Sequence, residues 1–290
     1  MIVVKVMGGL GNQMFQYALA RALLKQGKDV QLDLSYYENI PKEDTIRKFE
    51  LNKFGIIINK ASNKDILKFC NAYQYTLEIL GKVLGGDWSN RIVEKEQCYN
   101  SKIFTYQNKY LVGYWQNEKY FKNIRNELLN DFNFNKLKIS QKNDELRQEI
   151  LRTEKAVAIH VRGGDYLHSN IASIYGGICT REYYQKAFSY LEDRLGEVKY
   201  YLFTNDFKWT NDNIVSDKKN VRVIDWNSEQ DGWIDMYLMS LCKHNVIANS
   251  SFSWWAAWLN QNEKKIVIAP TYWTQGHKSD DIVPEDWIQL

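Results

Sequence analysis

The stretch AVAIHVRGGDY, residues 156–166, joins an apolar run to a polar loop that contains two glycines. The run Ala156–Val161 is short and apolar, which predicts a buried strand. Arg162 comes directly after it, where the strand must end. Because ligands of open α/β sheets bind outside the carboxyl ends of the strands, this loop is a candidate ligand site.

Short apolar runs alternate with amphipathic patterns through the rest of this half of the chain. Strands are predicted at residues 199–204, 221–224, 245–248 and 265–269. Helices are predicted at residues 181–195, with Thr180 as N-cap, and at 230–243 and 251–260. This alternation predicts a parallel sheet with helices on both faces. Two strands end in polar residues: Asn205 and Asp206 after the first, and Asn249, Ser250 and Ser251 after the third.

The chain opens with a second strand, turn and helix. Residues 2–6 form an apolar run, residues 12–26 have a helical pattern, and residues 30–34 predict the next strand, which gives a β-α-β unit. Gly9 and Gly11 in the turn resemble half of a dinucleotide fingerprint, but Met14 stands at the third glycine position. Asn12 and Gln13 at the helix start either bind a ligand or cap the helix.

Length and composition indicate a globular protein of two domains. The 290 residues exceed the usual size of one domain, and a polar stretch near residues 135–155 suggests domains 1–150 and 151–290. Helical patterns lie near residues 62–84 and 117–131, but the topology of residues 36–150 stays open. The 38 basic and 35 acidic residues are spread along the chain, which argues against nucleic-acid binding.

Several classes of site are not expected. The cysteines are widely spaced without a CxxC pair, and no Asp-x-Asp stands at a strand end, so neither zinc nor a diphosphate-bound metal is predicted. No segment reaches the roughly 18–20 apolar residues of a membrane span, and the start of the chain lacks a signal-peptide pattern. A cytoplasmic protein is the resulting expectation.

Arginine and serine at the strand ends suit an anion. The guanidinium of Arg162 donates in a planar fork that matches phosphate, although an ion pair with Asp165 is the structural alternative. Ser250, Ser251 and Ser253, with the amide groups of the helix that follows, form a candidate diphosphate cradle. The alternative is that one serine only caps that helix. The position of these residues at strand ends favours ligand binding.

Five motifs occur in the order found in one family. They are residues 8–17 (GGLGNQMFQY), 113–116 (GYWQ) with Tyr120 and Phe121, 160–166 (HVRGGDY), 203–206 (FTND) and 249–255 (NSSFSWW). The chain thereby resembles glycosyltransferase family 11, the α-1,2-fucosyltransferases, which are related to α-1,6- and protein O-fucosyltransferases. The resemblance implies an α/β, GT-B-like architecture, in which two Rossmann-like domains face a cleft. The C-terminal domain would bind GDP-fucose and the N-terminal domain would face the acceptor.

The resemblance also implies the site residues. Arg162 would hold the donor β-phosphate and His160 would line the nucleotide site. Asp235 stands where related enzymes place a carboxylate that accepts from guanine N1–H and the 2-amino group; without the resemblance it reads as an exposed helix residue. The remaining implied donor-binding residues are Gly9, Gly11, Asn12, Gln13, Asn205, Asp206, Ser250, Ser251 and Phe252.

The implied reaction is inverting transfer of L-fucose to the O2 hydroxyl of a galactoside. Arg162, Asp165 and His160 are the catalytic candidates; Asp165 and His160 are the nearest candidates for the general base by motif, and its identity stays open. Leaving-group charge would be carried by Arg162, the serines and the helix dipole, with no metal or other cofactor. Gly163 replaces the second arginine common in the family, a change that would weaken turnover or alter acceptor choice.

The acceptor implied is a galactoside-terminated oligosaccharide or glycolipid, and a glycolipid would allow peripheral membrane association. Two other functions stay open. One is transfer from a different GDP-sugar, and the other is binding of a GDP-sugar without turnover.

Overall fold

The computed structural model of the chain describes residues 1–41, 46–86, 88–95, 98–162, 172–215, 220–227 and 229–290. These residues form two compact units, Met1–Lys136 and Leu137–Leu290. The division falls earlier in the chain than the boundary at residue 150 that the sequence suggests. The reason is that helix Gln141–Arg152 packs against helix Gly232–Leu241 of the second unit.

The first unit is built on a four-stranded parallel sheet in the order β2-β1-β4-β3. The predicted β-α-β opening is confirmed. Strands β3 and β4 lie in the stretch whose topology the sequence leaves open, because each has only three or four residues. The strands are β1 (Ile2–Lys5), β2 (Val30–Asp33), β3 (Arg91–Val93) and β4 (Lys109–Val112), and the helices are α1 (Leu10–Lys25), α2 (Asn63–Phe69), α3 (Ala72–Leu84) and α4 (Arg125–Asp131).

The second unit is built on a six-stranded sheet in the order β12-β9-β8-β5-β6-β7, in which every pairing is parallel. The predicted α/β class with parallel sheets is confirmed. The strands are β5 (Ala156–Val161), β6 (Lys199–Thr204), β7 (Val221–Ile224), β8 (His244–Val246), β9 (Val267–Ala269) and β12 (Ile288–Gln289), with β10 (Tyr272–Thr274) and β11 (His277–Lys278) forming an antiparallel pair.

The helices of the second unit follow the predicted pattern closely. Helix α7 has the predicted bounds, and the Thr180 hydroxyl accepts from the Tyr183 amide as its N-cap. The helices are α5 (Gln141–Arg152), α6 (Ala172–Tyr175), α7 (Arg181–Leu195), α8 (Phe207–Thr210), α9 (Gly232–Leu241) and α10 (Ser251–Leu259). Within the part of the chain that is described, none of the helices is both long and apolar enough to cross a membrane.

Single turns complete the chain. The predicted helix over residues 117–131 is wrong in its first half, where two 3-10 turns precede α4. The 3-10 turns are Ser35–Tyr37, Leu51–Phe54, Ser101–Thr105, Glu118–Tyr120, Lys122–Ile124, Phe134–Lys136 and Glu229–Asp231, and Asn211–Val215 forms a π-type turn.

Strand β5 is the centre of the second unit, and every one of its residues is buried. It pairs with β6 on one side and β8 on the other. Helix α7 is tied to these strands by two tyrosines: Tyr183 donates to the carbonyl of Ile247 (2.6 Å), and Tyr184 donates to the carbonyl of His160 (3.0 Å). The carboxyl ends of three adjacent strands are thereby held side by side.

Candidate functional site

The carboxyl edge of the second sheet brings together the polar residues that follow strands β5, β6 and β8. Val161 pairs with Thr204, so β5 and β6 end level, whereas Val246 pairs with Ile159, so β8 ends two residues before β5. Arg162 and Asn205 are the next residues after β5 and β6. The turn that leads to Ser250 comes from β8. Three of the predicted motifs therefore meet at one edge.

Helix α10 begins at this edge without a side-chain cap. Ser250 is the N-cap residue, with extended backbone (φ −140°, ψ 126°), yet its hydroxyl makes no capping hydrogen bond. The Ser253 hydroxyl donates instead to the carbonyls of Ala248 (3.4 Å) and Ser250 (3.3 Å) and is fully buried. Ser250 thus occupies the N-cap position without a capping hydrogen bond from its side chain, and the Ser250 and Ser251 hydroxyls lie at the positive end of the helix.

Asn249 fixes the turn before this helix. Its Nδ2 donates to the carbonyls of Tyr175 (3.0 Å) and Trp273 (3.1 Å), and its Oδ1 accepts from Cys179 Sγ (3.5 Å). The side chain is buried. Asn249 therefore joins helix α6 and strand β10 to the start of α10, and its place in the sequence motif has a structural cause.

His160 is buried at the end of β5 and faces the first turn of α10. Its ring lies 5.6 Å from the ring of Phe252, measured between centroids. Burial, followed by the positive charge of Arg162, lowers the pKa of His160 to about 3. The imidazole is therefore neutral at pH 7. Its Nδ1 is buried and has no hydrogen-bond partner among the described residues.

The pKa of His160 bears on its predicted catalytic role. A group with a pKa of about 3 is a weak base at neutral pH, so the imidazole is better suited to contact with a ligand than to proton abstraction. The other candidate base, Asp165, lies outside the described residues, as does Gly163. Arg162 itself is described and partly buried.

Asp235 continues this line of residues along helix α9. A Cβ atom on Gly232, in the first turn of α9, would lie 4.0 Å from the Phe252 ring. Asp235 follows three residues later, on the same face of that helix. The carboxyl group is partly buried, so the alternative of an exposed helix residue is wrong. Burial raises its pKa to about 7, against the hydrogen bond from Asn227 Nδ2 to Oδ1 (2.6 Å), which lowers the pKa.

Asp206 and Asn205 differ in what they do at the end of β6. The Asp206 carboxylate accepts from the Trp209 amide (3.0 Å) and caps helix α8, while its own amide donates to Thr204 Oγ1 (2.9 Å). Asn205 is exposed at the sheet edge. The structure gives Asp206 a capping role, and a donor contact by either residue stays a prediction.

In the first unit, the glycine turn shapes the start of helix α1. Gly8 has φ +80°, and a Cβ atom there would lie 2.7 Å from Asn12 Nδ2, so a glycine is required. Gly9 is the N-cap residue, without a side-chain cap, and Gly11 is buried in the first turn. The Asn12 side chain is partly exposed above this turn.

The Gln13 side chain forms hydrogen bonds within the first unit. The side chain is fully buried, and its Nε2 donates to the carbonyls of Gly8 (3.0 Å) and Lys48 (2.8 Å). Its Oε1 accepts from the amide of Glu50 (2.8 Å). These hydrogen bonds give the Gln13 amide a structural role in the turn and the 48–50 segment. A donor contact by Gln13 or Asn12 stays a prediction.

The GYWQ motif supports Asn12. Gln116 Nε2 donates to Asn12 Oδ1 (2.8 Å) from a loop that turns around Glu94. The Glu94 carboxylate accepts from the amides of Tyr114 (2.6 Å) and Trp115 (3.0 Å), and burial raises its pKa. Trp115 adopts φ 56°, an uncommon conformation for a large residue. The motif is visible in the sequence, but the role of Gln116 is not, because its contact with Asn12 joins residues that lie far apart in the chain.

Comparison with known proteins decides the family. The family model described as Glycosyl transferase family 11 matches residues 1–290, the whole chain. The chain belongs to glycosyltransferase family 11. The predicted resemblance is thereby confirmed, and the protein is a glycosyltransferase.

Three relatives show the range of this family. The chain is 34% identical to the O-antigen biosynthesis glycosyltransferase WbnK of Escherichia coli, over 98% of each chain. It is 33% identical to an alpha-1,2-colitosyltransferase of Escherichia coli, over 100% of this chain and 98% of the relative. It is 26% identical to galactoside alpha-(1,2)-fucosyltransferase 2 of Sus scrofa, over 53% of this chain and 46% of that protein.

Proposed function

We propose that this glycosyltransferase transfers L-fucose from GDP-fucose to the O2 hydroxyl of a galactoside, with inversion at C1. One observation carries the proposal: Phe252, in the first turn of helix α10, lies against His160 and near Gly232 in the first turn of α9, beside an N-cap that lacks a side-chain hydrogen bond. The Asp235 carboxylate, one turn along α9 from Gly232, suits guanine, and the amide groups at the start of α10 suit a diphosphate. The family and its fucosyltransferase members support this assignment.

The parts of the donor have separate partners in this proposal. The carboxylate of Asp235 accepts from guanine N1–H and the 2-amino group, and adenine is rejected because it would leave these polar groups unpaired. Ser250, Ser251 and the amide groups of α10 hold the diphosphate. Arg162 binds the β-phosphate as a planar fork. The neutral His160 contacts the donor without carrying charge.

The reaction is a single displacement. The acceptor oxygen forms its bond to fucose C1 while the bond from C1 to the β-phosphate oxygen breaks. The electron pair of the broken bond leaves with GDP, where Arg162 and the positive end of helix α10 stabilise it. The acceptor proton passes to a base, for which Asp165 is the stronger candidate because the pKa of His160 is about 3. We propose that no metal is needed.

A second donor has support from one relative. The alpha-1,2-colitosyltransferase is 33% identical over the whole chain, which is more extensive than the match to the mammalian fucosyltransferase. Colitose is a fucose that lacks the 3-hydroxyl group, so the two GDP-sugars share the guanine, the diphosphate and the reacting carbon. The similarity to WbnK further supports an O-antigen unit as acceptor.

The test compares both donors with one acceptor. Purified protein is mixed with GDP-fucose or GDP-colitose and with lacto-N-biose or lactose, in the presence of EDTA, and GDP release and product linkage are measured. We expect a 2-linked fucosyl product that is lost in Arg162→Ala and kept in Arg152→Ala, an arginine exposed at the end of α5.

Each other outcome has a distinct meaning. Faster transfer from GDP-colitose would make colitose the donor sugar. GDP binding without transfer or hydrolysis would favour a binding protein, and loss of transfer in EDTA would refute the metal-free mechanism. Absence of any GDP binding would refute the proposed donor site altogether.

A further inference from the structure

A chain of hydrogen-bonded, buried or partly buried side chains leads to Asp235. Asn227 Nδ2 donates to Asp235 Oδ1 (2.6 Å), and Asn143 Nδ2 donates to Asn227 Oδ1 (2.8 Å). The Trp226 indole Nε1 donates to Asn143 Oδ1 (3.0 Å). Asn143 belongs to helix α5 and is 2% exposed, whereas Asn227 and Trp226 follow strand β7. These three residues form the amide relay.

The direction of every hydrogen bond in the amide relay is set at Trp226. An indole N–H can only donate, so the Asn143 oxygen must face it. The Asn143 amino group then donates to the Asn227 oxygen, and the Asn227 amino group donates to Asp235 Oδ1 and also to Asn143 Oδ1 (3.3 Å). The relay therefore always offers a donor to Oδ1 of Asp235. A donor at this point favours the ionised carboxylate.

The surroundings of the amide relay are otherwise rigid. Asn143 Nδ2 also donates to Ser140 Oγ (3.1 Å), the N-cap residue of α5. The Lys142 ammonium lies 3.8 Å from the centroid of the Trp226 ring. Among the described residues, no hydrogen bond reaches the second oxygen of Asp235, Oδ2. Oδ1 thus accepts from Asn227 and keeps a second lone pair, and Oδ2 has no donor among the described residues, so both oxygens can accept from a ligand.

We propose that Asn227 and Asn143 are positioning residues that make Asp235 a fixed double acceptor and so select guanine over other purines. This inference rests on the proposed function, in which Asp235 binds the base. Guanine presents two donors side by side, N1–H and the 2-amino group. Hypoxanthine presents only N1–H, and adenine presents an acceptor at N1. A carboxylate whose orientation is fixed discriminates among the three bases more sharply than one that rotates.

The hydrogen bond from the amide relay is the main polar interaction that acts on the pKa of Asp235. On α5, Asp144 and Arg147 form an ion pair (2.7 Å) and Lys142 lies on the Trp226 ring. On β5, His160 is neutral, and Asp231 before α9 is exposed. Helix α10 carries no titratable side chain. Burial and the Asn227 hydrogen bond are accordingly the causes of the altered Asp235 pKa.

The test replaces an amide of the relay by a carboxylate of the same shape. Asn227→Asp places a carboxylate in front of Asp235. Asn143→Asp removes the donor to Asn227 and lets that amide turn its oxygen towards Asp235. A matched control is Asn220→Asp, because Asn220 also donates to a carboxylate, Glu197 Oε1 (2.9 Å), but at the exposed surface.

The measurements are the dissociation constants of GDP, IDP and ADP by calorimetry from about pH 6 to about pH 9. We expect Asn227→Asp and Asn143→Asp to weaken GDP binding at pH 7 by about tenfold or more, with a smaller loss for IDP. The pH at which GDP binding is half-maximal should move upward in both variants. Asn220→Asp should bind all three nucleotides as the wild type does.

A milder variant covers the case in which a carboxylate unfolds the protein. Trp226→Phe keeps an aromatic side chain but replaces the indole by a smaller phenyl group, so it removes the N–H that sets the direction of the relay without adding a charge. It should lower the preference for GDP over IDP while thermal unfolding stays close to that of the wild type. If Trp226→Phe and the folded Asn→Asp variants keep the wild-type GDP preference and pH dependence, the positioning role is refuted.

Failure of the proposed function would look different. If Asp235→Asn also binds GDP as the wild type does, Asp235 does not contact guanine and the base site lies elsewhere. If Asp235→Asn loses GDP binding while the relay variants are unaffected, the base site stands and only the positioning role fails. Weakened GDP binding in both sets of variants, with the Asn220 control unchanged, supports both.

Discussion

Replacing Asp235 by asparagine should stabilise the protein and weaken GDP binding at the same time. Burial raises the pKa of Asp235 from 3.8 to about 7. That difference corresponds to about 4 kcal/mol for ionising the group in the folded protein, before any allowance for local relaxation. Because the carboxyl group is partly accessible to water, we expect a gain of about 1–3 kcal/mol from the substitution.

The sign follows from the two states of the chain. The folded pKa lies above the unfolded pKa, so the contribution of Asp235 to stability is fully present below about pH 4 and is lost as the pH rises to about 7. Asparagine has no such loss. The stability of Asp235→Asn relative to wild type should therefore increase between about pH 4 and about pH 7 and then stay constant.

Binding should change in the opposite direction. An amide at position 235 replaces one acceptor by a donor, which meets the donors of guanine. Loss of a charge-assisted hydrogen bond costs about 1.5–3 kcal/mol, which is roughly a 10- to 150-fold rise in the dissociation constant of GDP. The ionised Asp235 thus lowers the stability of the free protein. Its carboxylate gains its full set of hydrogen-bond donors only when guanine binds.

Denaturant unfolding at three pH values, followed by calorimetry with GDP, measures both effects. Asp193→Asn, an exposed change on helix α7, is the matched control and should leave both quantities at wild-type values. A destabilised Asp235→Asn, or a stability difference that does not depend on pH, would refute the burial argument. Unchanged GDP binding would refute the role of Asp235 as the acceptor for guanine.

Three further predictions concern residues whose roles the structure defines. Gln13→Ala should lower the free energy of unfolding by about 2–4 kcal/mol, because it removes three hydrogen bonds between a fully buried side chain and the backbone of Gly8, Lys48 and Glu50. Denaturant titration measures this change, and a loss below about 0.5 kcal/mol would contradict it. Asn249→Ala should lower the free energy of unfolding by about 2–3 kcal/mol. It should also raise the KM for the donor, because the turn before Ser250 loses the side chain that anchors it. Denaturant unfolding and kinetics at saturating acceptor measure the two effects, and a normal KM would show that the turn keeps its shape. Between about pH 5 and about pH 8, the pH dependence of kcat should contain no step from His160, because its pKa is about 3. A step near about pH 6.5 that vanishes in His160→Asn would overturn the assignment of a neutral imidazole.

Local signals in the sequence predict most of the second unit. Strand β5 is a continuous apolar run, and helix α7 begins at a threonine cap, so the bounds of both follow from neighbours in the chain. The positions of Arg162 and Ser250 at strand ends follow from the same pattern. In the first unit the signal fails, because β3 and β4 have three or four residues each and are defined by their pairing with each other and with β1.

Motifs and periodicity along the chain establish the fold class, the family and the segments that carry the candidate site. The folded structure adds which polar side chains of each motif are held by hydrogen bonds within the protein. Gln13 is turned into the fold and Asn12 is not, and Ser253 bonds to the backbone while Ser250 does not cap. The partners of Asp235 and Asn12, namely Asn227 and Gln116, are likewise set by the fold. The physical reason is that a hydrogen bond depends on distance and direction, which packing of separate elements fixes and which periodicity along the chain does not record.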